Sequence, residues 1–147
     1  MNQDKEILRA IAFLQGAREW LGQASRDIDS SATLNSPETQ DKAKGAIFFL
    51  GRTSGYLLGL QDTYRANLTT KTRLEPPPLG EVVTAEESAF LLILVRDLRE
   101  EAKAEWDVLV ESAEAATEEQ RKRLDGAKMA HRKWEEWIDR QELRLTS

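Results

Sequence analysis

The chain has 147 residues, 40% hydrophobic and 32% charged, with a formal net charge of −5 and no cysteine. That length suits one domain spanning 1–147 with a real core. The missing cysteines exclude disulfides and thiolate metal sites and point to a reducing cytoplasm. No secretory signal is visible: Met1–Glu6 lacks a basic start, and Arg9 and Gln15 interrupt the first apolar residues. The most apolar run, Ala46–Leu60, contains Arg52. It falls short of the ~20 residues that span a bilayer, so no membrane association is expected.

The first segment, about Asp4 to Ile28, reads as a helix. Ile7, Leu14, Leu21 and Ile28 repeat every seven residues, beside a small-residue row of Ala10, Ala17 and Ala24. Phe13 and Trp20 widen the stripe. The polar cluster Asp29-Ser30-Ser31-Ala32-Thr33 is expected to stop it.

The second helix is expected to start at Ser36-Pro37-Glu38. Ser caps, Pro tolerates the first helical position, and Glu complements the dipole there. It runs to about Leu68. Ile47 to Leu60 is apolar nearly all round, which predicts a helix enclosed by neighbours. Gly51, Gly55 and Gly59 stand on one face at a four-residue step. Each Gly costs about 1 kcal/mol against Ala in a helix interior, so three in a row require an offsetting gain. A groove for the first helix supplies one. Antiparallel pairing puts Ala24 near Gly45, Leu14 near Gly55 and Ala10 near Gly59. The competing reading makes Gly51-Arg52-Thr53-Ser54-Gly55 an anion-cradling loop.

Residues 69–83, with Pro76-Pro77-Pro78 and Gly80, break the pattern and read as a stiff connector. A third helix opens at Thr84, with Glu87 completing a capping box. Its stripe is Leu98, Ala102, Trp106, Leu109 and Ala113. A second capping box, Thr117 with Gln120, starts a fourth helix whose stripe is Leu124, Ala127, His131, Trp134, Ile138 and Leu145. The two stripes join without a phase break, so a single final helix of about 60 residues is the alternative. The fold expected is all-α, an antiparallel bundle of about four long helices, or three in that alternative.

Charge is uneven along the chain. Residues 81–116 carry ten acids and three bases, and this acidic stretch opposes nucleic acid. The last segment has eight bases among seven acids, with Trp134 and Trp137 nearby, which makes nucleic-acid contact a third reading of function.

One arrangement of carboxylates carries chemistry. Glu111-x-x-Glu114 is followed, after 21 residues, by Glu136-x-x-Asp139. Carboxylates three apart share a helix face, and two such pairs on antiparallel helices could hold Mg²⁺. The pattern resembles the metal-binding signature of all-α nucleotide pyrophosphohydrolases related to MazG. That resemblance implies Mg²⁺-dependent nucleotide hydrolysis. The only histidine, His131, falls on the apolar stripe and reads as a core imidazole. No catalytic triad, dinucleotide fingerprint or zinc spacing is present, and no cofactor is expected.

The leading reading is therefore a non-enzymatic bundle that binds protein, as a homo-oligomer or a small subunit, adaptor or inhibitor of a larger assembly. Trp is the usual anchor of such interfaces. Trp137, about 60° round the helix from Trp134, is expected at the intermolecular contact with Trp106, Arg140 and Lys133, while Trp134 packs internally.

Overall fold

A computed structural model describes residues 2–32, 37–68, 84–111 and 117–146. It contains four helices: α1 (Asn2–Ala32), α2 (Pro37–Ala66), α3 (Ala85–Glu111) and α4 (Glu118–Thr146). The final segment is thus two helices rather than one. Thr117 N–H donates to Gln120 Oε1 at 2.8 Å, and Gln120 N–H donates to Thr117 Oγ1 at 3.2 Å. This reciprocal box satisfies donors that a continuous helix would have paired internally. At the start of α3 only half of the expected box forms. Glu87 N–H donates to Thr84 Oγ1, but the Glu87 carboxylate turns into the bundle instead.

α1 runs on to Ala32, through Asp29 and Ser30, where the polar cluster was expected to end it. Propensity is a weak prior, and no Gly or Pro interrupts the helix there. At the end of α2, Asn67 N–H and Leu68 N–H donate to the Tyr64 and Arg65 carbonyls, closing the last turn. The Ser36 cap, Ala113, Glu114 and the Pro76-Pro77-Pro78 connector lie outside the described residues.

Cross-helix contacts fix the directions. Phe13 meets Trp137 and Trp20 meets Trp134, so α1 and α4 run antiparallel. Trp106 stacks on His131, and Arg99 binds Asp139 and Glu142, so α3 and α4 are also antiparallel. Gly45 abuts Arg123 and Phe49 meets His131, which makes α2 and α4 parallel neighbours. Buried Gln61 ties α1 to α2: its Nε2–H donates to the Ile11 carbonyl, and Arg18 donates to its Oε1. The helices are arranged in the order α1, α2, α4, α3 around one core to which all four contribute.

The α1 stripe is buried as expected, Ala10, Leu14, Ala17 and Leu21 completely and Ala24 in part. The α1–α2 hairpin also forms, with Ile11 level with Gln61. The face of α2 within it differs from the expectation. Ala43, Ala46, Leu50, Leu57 and Gln61 point inward, and Gly51, Gly55 and Gly59 are exposed. A Cβ placed on any of those three would meet nothing within 4 Å. Gly55 stands two residues from Leu57, about 200° round the helix, so when Leu57 enters the core Gly55 must leave it.

Close backbone approach occurs elsewhere, between α2 and α4. A Cβ on Gly45 would overlap the Arg123 carbonyl, and one on Gly126 would overlap the Lys42 carbonyl. Ala46, Ala127 and Ala130 are buried beside this crossing. Lone glycines inside alanine-rich turns were the sequence signal for it. At the far end, buried Glu87 faces Arg9 at 2.8 Å and Lys5 at 3.4 Å.

Candidate functional site

The outer face of α2 is the most unusual surface of the molecule. Its inward stripe recurs at three- and four-residue steps, from Ala43 through Ala46 and Leu50 to Leu57 and Gln61. The residues half a turn away are therefore solvent-facing, and here several of them are apolar or glycine. Phe48 is 60% exposed and Leu58 42%. Between and beside them lie Gly51, Gly55 and Gly59. This corrects the expectation that the middle of the second helix is enclosed. The three glycines cost about 3 kcal/mol of helix propensity in sum, with no contact inside the described chain to offset it.

Charges frame the row. Lys44 and Asp62 are both exposed and lie nine residues either side of position 53. Arg52 places its guanidinium 5.8 Å from the Phe48 ring centre, with Nε 2.9 Å from Glu105 on α3. At the α3 edge, burial raises the Tyr56 phenol above its ordinary value of 10.0, and Glu101 and Asp97 raise it further. The segment Gly51-Arg52-Thr53-Ser54-Gly55 is regular helix, and Thr53 Oγ1–H donates to the Phe49 carbonyl. Its N–H groups are directed along the helix, so the anion cradle does not form.

Trp137 is the second correction. It is 5% exposed, stacks on Trp134 with ring centres 5.1 Å apart, and also contacts Phe13 and Trp20. It is a core residue. Trp134 packs internally, as expected. α4 is flanked by α2 and α3 and faces α1 across the core, so its buried face is wide enough to take two tryptophans 60° apart. Trp106 is partly buried against His131, and Arg140 and Lys133 are exposed.

The carboxylates do not converge. The pairs Arg99–Asp139 and Trp106–His131 set the α3–α4 register and put Glu111 level with residues near 127. Glu136 is some nine residues further on, about 13 Å at 1.5 Å per residue. Asp139 instead binds Arg99 at 2.7 Å, and Glu114 lies outside the described residues. Among the described residues no group of three or more potential ligands could hold a metal ion. Arg99 has its pKa raised, first by the hydrogen bond to Asp139 and further by Glu142. His131 is boxed between Phe49 and Trp106. Its Nδ1 lies 3.1 Å from Glu135, and its Nε2 is buried without a hydrogen-bond partner. Within the basic last helix, Lys122 and Arg123 pair with Glu118 and Glu119. Among the described residues no helix is long and apolar enough to cross a membrane.

Comparison with protein-family models, characterised proteins and solved structures finds no match.

Proposed function

We propose that this protein is a non-enzymatic helical bundle that works by binding protein, and that the outer face of α2 docks a second copy of the chain. The observation that carries this reading is the exposed row of Phe48, Gly51, Gly55, Leu58 and Gly59. Glycines let a second helix approach backbone to backbone, where dispersion and Cα–H···O contacts accumulate. That gain offsets a propensity cost the monomer alone leaves standing.

The row is self-complementary about a two-fold axis. Antiparallel pairing centred on position 53 sets Gly51 level with the partner's Gly55 and Phe48 level with the partner's Leu58. Lys44 then meets the partner's Asp62, and Asp62 the partner's Lys44. Opposite charges on both flanks fix the register.

The test is sedimentation equilibrium. Gly55→Arg is expected to convert the dimer to monomer. The same change raises monomer stability by about 1 kcal/mol, because Arg is a strong helix former and the position is open. Lys44→Asp is expected to weaken the dimer, and adding Asp62→Lys to restore it. A wild-type monomer at high protein concentration, or a charge swap that restores nothing, refutes the proposal.

A further inference from the structure

A groove of about 490 Å³ opens between the end of α1 and the middle of α4, with the start of α2 as its floor. Its origin is a change in side-chain size along the bundle. Lower down, Phe13, Trp20, Trp134 and Trp137 fill the space between α1 and α4. Above Trp20 the facing residues shrink to Ala24, Ala43, Ala46, Gly126 and Ala130. The glycine crossing draws α4 onto α2 and not toward α1, so the space stays open. The α2 residues involved lie on the side away from the exposed glycine row, so the groove is separate from the proposed dimer face.

The walls are apolar, with Trp20 at one side and Ile28 and Met129 at the lip. Three charges stand at the groove: Lys42 from α2, Lys133 from α4 and Asp27 from α1. Asp27 accepts a hydrogen bond from Gln23 at 2.8 Å. The lining therefore carries one net positive charge beside a long apolar trough. Pockets that hold small molecules are of this size and are mostly apolar, with a few polar groups that orient the ligand.

We propose that this groove binds a long-chain carboxylate, with the alkyl chain along the alanine walls and the head at one of the two lysines, which stand about two helical turns apart along the trough. A neutral chain forgoes the lysines. A cation is repelled by them, and a dianion is disfavoured by Asp27. The occupant is the free carboxylate in solution, not a membrane.

Calorimetric titration with laurate below its micelle concentration tests this. Saturable binding is expected, with tryptophan emission quenched by terminally brominated laurate because Trp20 lines the groove. Laurylamine should bind far more weakly. Lys42→Glu combined with Lys133→Glu should weaken laurate about tenfold, as replacing one partly exposed ion pair by repulsion would, with helicity unchanged. Lauryl alcohol should be unaffected by the same pair of changes. Ala24→Leu narrows the trough and should abolish binding. If that variant fails to fold, the lysine pair still decides. No saturable laurate binding overturns the inference, and so does equal affinity for laurylamine. Capture by laurate-bearing vesicles without binding of free laurate also overturns it.

Discussion

Gly126→Ala should destabilise the protein although it improves helix propensity. Propensity alone favours Ala by about 1 kcal/mol. The added methyl, however, would overlap the carbonyl of Lys42, a backbone group that cannot rotate aside. The two helices would have to part by roughly 1.5 Å to restore ordinary contact. A gap of 0.5–1 Å already forfeits about a quarter to a half of the dispersion attraction across it. Ala46, Phe49, Ala127 and Ala130, all buried near the crossing, share that loss. Overpacking usually costs about 1–3 kcal/mol, and a backbone neighbour puts this case at or above the top of that range. After the propensity gain, the net expectation is a loss of about 2–3 kcal/mol. At about 2–4 °C per kcal/mol for a chain of this size, Tm falls by roughly 5–10 °C. Gly51→Ala and Gly59→Ala are the controls, each expected to stabilise by up to about 1 kcal/mol because nothing lies within 4 Å. Thermal and urea unfolding followed by far-UV circular dichroism, at concentrations that keep the chain monomeric, read both signs. A Gly126→Ala protein as stable as the parent, or a destabilised Gly51→Ala, refutes the packing argument.

Trp137→Ala should cost about 3–5 kcal/mol in urea unfolding, the value of a core tryptophan, and an unchanged midpoint would return Trp137 to the surface. Glu87→Ala leaves Arg9 beside an emptied site and should cost about 3 kcal/mol, whereas an exposed ion pair would cost under about 1. Burial, and then Asp97, raise the Tyr64 phenol above 10.0, so the folded chain holds that proton more tightly than the unfolded chain. The stability it contributes is complete below pH 10.0 and is lost as pH rises through the folded value. Tyr64→Phe should therefore flatten the alkaline loss of stability, and an identical alkaline midpoint in parent and variant would count against this.

Periodicity and capping chemistry are local properties, and they determined the four helices and most of the buried stripes. The α4 positions Ala127, His131, Trp134, Ile138 and Leu145 are buried as the spacing requires. Thr117 and Gln120 divide the last two helices because their reciprocal bonds need only neighbouring residues. What the sequence alone did not determine was the rotation of α2. A helix apolar on nearly every side carries little directional preference, so its orientation depends on the summed burial that three other helices offer. Leu50, Leu57 and Phe49 claimed the inside, and the glycine row faced outward. The same cause moved Trp137 inward: the width of a buried face depends on what surrounds a helix, and α4 is flanked by α2 and α3 and faces α1 across the core. The carboxylates, legible as pairs on separate helices, were kept apart by the α3–α4 register. Such a register depends on contacts some 25–40 residues apart, which no local spacing records.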